Sequence, residues 1–181
     1  MGENAVFYFL FYFCWLAVTV FLSVKIRSAK GCLAFSREKV LLQLAFGLGL
    51  AALLIAAIAA LNIAIAGVFY PFPMFLYASL YGVKNIVLII AFQLLVAIVE
   101  EFFFRGWLLT VHRAKGQPLW AAVLLNALLF GLLHLVTTRS LISFAVSFAI
   151  GLIFALATSK CKHCSIYSLI LAHLIYNLSI T

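Results

Sequence analysis

Six side chains in this 181-residue chain are of types that do chemistry. Glu100, Glu101 and Arg105 lie in one long apolar run, His134 in the next, and His173 with Asn177 in the last. Two of the chain's four acidic residues therefore stand side by side inside an apolar segment. An ionisable group within a membrane is costly, so its default reading is a functional one. On an α-helix Arg105 falls about 40° around from Glu101 but about 140° from Glu100. Glu101 and Arg105 can thus neutralise each other as an i,i+4 pair. A structural ion pair accounts for those two and leaves Glu100 over.

Taken singly, the remaining polar residues have structural explanations. His134 reads as a packed or backbone-bonded histidine, and Asn126 as a helix–helix hydrogen bond. His173 and Asn177 are one turn apart and could tie two helices together. Taken together, Glu100, His134, His173 and Asn177 come from three helices and can converge in the middle or outer part of a bilayer. A carboxylate can accept a proton and a histidine can hold a water. His173 and Asn177 can then offer donors to a developing oxyanion. Glu100, His134 and His173 also make a two-histidine, one-carboxylate zinc set, and the residue types leave both chemistries open. Ser143, Ser147 and Gly151 recur at four-residue steps and read as a packing stripe, since no general base is spaced to activate a serine. Cys161-x-x-Cys164, with His163 and distant Cys32 as further ligands, reads as solvated thiols rather than a zinc site.

The elements that must position these groups are membrane helices. The chain is 68% hydrophobic and 9% charged, which no soluble domain of this size tolerates. Apolar runs at 5–24, 40–68, 86–111, 119–137, 140–159 and 165–180 each approach the roughly 20 residues that a span requires. The expectation is an all-α, polytopic bundle of about six transmembrane helices in a single domain, 1–181. Nine basic residues, among them Lys25, Lys39, Arg113, Lys115, Lys160 and Lys162, fall in the loops of one side, against Lys84 and Arg139 on the other. Positive-inside reasoning puts the nine in the cytoplasm and both termini outside. The basic charge reads as topology and contact with the lipid bilayer, not as nucleic-acid binding. The N-terminal run has no basic n-region and no clear cleavage site, so it reads as a retained, lipid-facing span. The second run, rich in glycine and alanine, reads as an interior helix. Its Gln43 and Asn62 lie near the ends, where interfacial water can satisfy them. Tyr70-Pro71-Phe72-Pro73 breaks the helix, and 74–81 reads as a short interfacial or re-entrant segment.

Three motifs now stand in order on successive polar helices: Glu100-Glu101-x-x-x-Arg105, Phe130-x-x-x-His134 and His173-x-x-x-Asn177. In this the chain resembles the CAAX protease and bacteriocin-processing (CPBP, or Abi) family of intramembrane proteases, over a core of approximately 86–180. The resemblance implies a peptide-bond hydrolase with its site inside the membrane. It implies Glu100 as the general base acting with His134, and His173 and Asn177 as oxyanion donors. Glu101 and Arg105 would be structural support. Both metal-dependent and glutamate-dependent mechanisms are described for the family. The glutamate version, with no cofactor, is favoured here, and zinc is the alternative. The implied partner is a membrane-anchored protein or peptide substrate: prenylated C-termini, pheromone or bacteriocin leaders, or C-terminal sorting tails. His134 falls about 24 Å along its helix from Pro118, beyond the midplane on the outer side. That favours exported substrates, and among them sorting tails, in a prokaryotic inner membrane. Two competing readings are a non-catalytic immunity protein that binds a membrane-active peptide, and a proton-coupled carrier. The carrier lacks support from any internal repeat.

Overall fold

The computed structural model describes residues 3–25, 39–67 and 83–180, and within them every regular element is helical. The helices are α1 (Glu3–Lys25), α2 (Val40–Ala66), α3 (Val83–Glu101), a π-helical stretch (Phe102–Leu108), a short α4 (Leu109–Ala114), α5 (Leu119–Thr138), α6 (Leu141–Lys160) and α7 (Ile166–Ile180). Five segments are long and apolar enough to cross a bilayer: Phe7–Lys25, Val40–Ile65, Ile86–Ala114, Leu119–Thr138 and Leu141–Lys160. The chain is a polytopic helix bundle, as its composition requires. The basic loop after α1, with Cys32, and the proline-broken segment with 74–81 lie outside the described residues.

α7, the last of the six runs expected to span, is shorter than a span requires. It has 15 residues, about 22 Å of helix, short of the roughly 30 Å hydrocarbon core. Its surroundings explain this. Seven of its residues, from Ser168 to Ser179, are buried against protein, chiefly α2 and α3. A helix enclosed by neighbours need not match the lipid thickness itself.

α2 departs from expectation in the other direction. Gly47 meets α7 so closely that an added Cβ would lie 2.7 Å from the Ser168 carbonyl oxygen, and Ser168 Oγ donates to the Gln43 carbonyl at 2.9 Å. Gly49 faces open space, and Leu41, Leu53 and Ile65 are exposed. α2 is therefore a peripheral helix with one close-packed stripe, to which Gly47 and Ala51 belong, while Gly49 faces outward.

α5 and α6 form an antiparallel hairpin closed by two residues. Arg139, at φ 54°, caps α5 through its N–H to the Leu135 carbonyl. Ser140 caps α6 by accepting from the Ser143 N–H at 3.2 Å. Small residues let the two backbones approach: a Cβ on Gly151 would stand 2.9 Å from Ala127 Cα. Of the stripe Ser143, Ser147 and Gly151, Gly151 packs helices as its spacing suggests, whereas Ser143 and Ser147 line a cavity described below.

α1 lies along α3 and the π-helical stretch. Its inner face interlocks aromatic rings, Phe9 on Phe92 at 5.0 Å and Trp15 on Phe103 at 5.3 Å. Its outer face presents Phe7, Leu10 and Phe13 to lipid. The central core gathers Phe104, Phe130, Phe154, Leu169 and Tyr176; Arg105, His134, His173 and Asn177 sit on elements that contribute to it, and Glu100 and Glu101 end the helix that leads into it.

Candidate active site

The site begins where α3 turns into the π-helical stretch. A π-helix widens the turn and is frequent at functional sites. Here it starts one residue after Glu101. The side-chain amide of Asn126, buried on α5, donates to the Phe104 carbonyl within it, so Asn126 is the helix–helix tie expected of it.

Glu101 and Arg105 pair across this junction at 2.9 Å, both fully enclosed. The guanidinium is also framed by aromatic faces, with its carbon 4.4 Å from the Phe130 ring centre and 5.2 Å from that of Phe154. Ring faces attract a desolvated cation. They stand where further hydrogen bonds are missing, since Arg105 Nε and Nη2 have no acceptor among the described residues.

Glu101 has a second duty that the spacing did not reveal. The oxygen that binds Arg105 also meets His173 Nδ1 at 2.8 Å. A carboxylate oxygen holding two donors fixes the imidazole proton on Nδ1. His173 Nε2 is thereby turned toward Glu100, 3.8 Å from its Oε2. The edges of the ring meet Phe130 and Phe154, each 6.1 Å away between centres, so its orientation is set on every side.

Glu100 is buried like Glu101 but differently satisfied. Its Oε1 accepts from Tyr12 Oη of α1 at 3.2 Å, while Oε2, like Oε2 of Glu101, has no hydrogen-bond partner among the described residues. His134 and His173 both lie within electrostatic reach of this carboxylate. His134 Nδ1 donates to the carbonyl of Phe130 in its own helix at 3.0 Å, which leaves Nε2 as the acceptor. Asn177 Nδ2 donates to Gln93 Oε1 of α3 at 3.0 Å.

His134 and Asn177 reach the wall of a cavity of about 350 Å³ whose other polar lining includes Asn62, Thr138, Ser143 and Ser147. Asn62, Thr138, Ser143 and Asn177 all belong to one end of the bundle. The basic residues Lys25, Lys39, Arg113, Lys115 and Lys160 mark the opposite end. An apolar cavity of about 160 Å³ adjoins it between α2 and α6, sharing Ile58, Val146 and Tyr176 as walls. Glu100 and His173 sit deeper and do not line either cavity.

The structure therefore gathers Glu100, Glu101, Arg105 and His173 into one contact network, with His134 and Asn177 at the adjoining cavity wall. His173 commits Nδ1 to Glu101 and keeps Nε2 available, and among the described residues no three His, Cys, Asp or Glu side chains are grouped closely enough to hold an ion. Cys161 is exposed and Cys164 half-buried, both free thiols in the turn before α7. Burial pushes the Cys164 thiol up to about 12, so it is protonated and unreactive at neutral pH.

Two contributors escaped the sequence reading. Tyr12 lies in the uncharged interior of α1, where a phenol at the middle of a span is away from the interface at which tyrosine usually sits. Gln93 lies two turns before Glu100 in the same helix, and an amide in so apolar a run was a visible signal.

The family model for type II CAAX prenyl endopeptidase Rce1-like proteins matches residues 82–179, more than half of the chain. The match covers α3 to α7 and all six motif residues, and leaves α1 and α2 outside. No curated protein and no solved structure matches the chain. The chain thus belongs to the type II CAAX prenyl endopeptidase Rce1-like family and is, in general terms, an intramembrane endopeptidase built as a multi-pass helix bundle.

Proposed function

We propose that this protein hydrolyses a peptide bond in membrane-anchored substrates by a glutamate-activated water, without a metal, from the outer side of a prokaryotic cell membrane. The observation that carries the reading is the pairing of an unsatisfied Glu100 Oε2, deep in the bundle, with a polar cavity that bears His134 and Asn177. The cavity lies at the end remote from the basic loops, which supports access from outside.

In this reading Glu100 takes a proton from a water that His134 Nε2 helps to hold. The hydroxyl oxygen adds to the scissile carbonyl, and Asn177 Nδ2 donates to the resulting oxyanion. His173 can donate from Nε2 once its ring is doubly protonated, because its other proton is committed to Glu101. The C–N bond then breaks, and the proton held by Glu100 passes to the departing amine. Glu101 and Arg105 hold His173 and take no part in the bond changes.

An outward site suits exported proteins, and C-terminal tails of surface proteins are the proposed substrates. The experiment compares new protein termini in membranes of cells carrying wild type or Glu100→Ala. Termini that vanish in the variant name the substrates and the side of cleavage. Matching sets would overturn the protease reading for these cells and turn attention to immunity against membrane-active peptides.

A further inference from the structure

α1 lies outside the matched family stretch and reads from its sequence as a lipid-facing helix, yet one of its side chains touches the motif. Tyr12 Oη donates to Glu100 Oε1 at 3.2 Å. The two oxygens of a carboxylate are equivalent until the surroundings distinguish them, because the terminal torsion is broad and two-fold. Here they are distinguished. Oε1 carries the phenol, and Oε2, with no hydrogen-bond partner among the described residues, is the oxygen 3.8 Å from His173 Nε2.

The phenol is itself held in place. Its ring stacks on Trp15 at 5.8 Å and meets Phe92 edge-on at 5.8 Å. Trp15 in turn packs on Phe103 and Phe104 of the π-helical stretch. The hydroxyl is thus delivered by a rigid aromatic ladder that joins α1 to the segment just after Glu100. Tyr8, one turn earlier on α1, faces outward at 54% exposure and makes no such contact with Glu100.

We propose that Tyr12 is a positioning residue for Glu100: it holds Oε1 so that Oε2 faces His173 and the reacting water. The inference rests on Glu100 being the general base. It makes α1 part of the working enzyme rather than a membrane anchor.

The test uses the full-length protein in detergent, with Tyr12→Phe removing only the hydroxyl and Tyr8→Phe as control. The substrate probe is a peptide spanning the bond named by the termini comparison. In Tyr12→Phe, kcat falls about tenfold, the worth of one hydrogen bond to a charged group, and KM stays within about twofold. Tyr8→Phe behaves as wild type. Independently of turnover, the infrared carboxyl band that disappears in Glu100→Gln shifts in Tyr12→Phe and not in Tyr8→Phe. An unshifted band, or wild-type kcat with a shifted band, overturns the inference. Should Glu100→Gln cleave normally, the general-base reading fails instead, and the band still decides whether Tyr12 holds this carboxyl.

Discussion

Glu100 and Glu101 are chain neighbours with equal burial and opposite circumstances. Around Glu101 one oxygen is shared by Arg105 and His173, the other has no partner among the described residues, and the guanidinium is walled by aromatic rings. Around Glu100 one oxygen is held by Tyr12, the other is free, and the histidine and asparagine beyond it open onto a cavity. A carboxylate that holds a cation and an imidazole on one oxygen sets geometry, whereas one held only by a phenol, with a histidine nitrogen facing its other oxygen, can exchange a proton. A single 100° step along one helix divides the two roles.

Breaking the Glu101 side should cost the most. Arg105→Ala strands a buried carboxylate that has lost its cation, a loss of about 3–5 kcal/mol. The folded yield from membranes should collapse, as read by size-exclusion profile and thermal unfolding. Normal yield and melting would mean that the pair does not brace the bundle. Gly151→Leu tests the packing beneath the cavity: a side chain driven against Ala127 should cost about 1–3 kcal/mol, and unaltered melting would contradict the close α5–α6 approach.

The open side should respond in rate rather than in stability. Gln93→Leu removes the acceptor that orients the Asn177 amide and should lower cleavage by about threefold to tenfold while melting holds. If the loss were in melting alone, Gln93 would only tie α3 to α7. The smallest expected effect is that of a chelator. Cleavage should be unchanged, since the proposed mechanism needs no metal and no three His, Cys, Asp or Glu side chains are grouped to hold one among the described residues. Loss of activity restored by added zinc would replace the glutamate reading with the metal one.

Much of this organisation was legible in the residues. An apolar chain with its basic residues segregated can fold only as a helical bundle in lipid, and the i,i+4 spacing of Glu101 and Arg105 paired them before any geometry was known. The three motifs marked the helices that meet at the site. What escaped depends on partners far apart in sequence. The bond from Tyr12 to Glu100 spans 88 positions and that from Asn177 to Gln93 spans 84, and no local spacing encodes either. The tautomer of His173 follows from an oxygen shared with Arg105, which only the packed α3–α7 contact supplies. The length of α7 misled because hydropathy cannot tell lipid from a protein interior, and α2 misled because small residues can face lipid as well as neighbours.

The most direct test compares Glu100→Gln with Glu101→Gln at matched amounts of purified protein, measuring cleavage and melting on the same samples. The account predicts that Glu100→Gln melts like wild type and cuts nothing, while Glu101→Gln melts well below it. Cleavage by a folded Glu100→Gln protein would contradict the assignment of the reacting carboxylate.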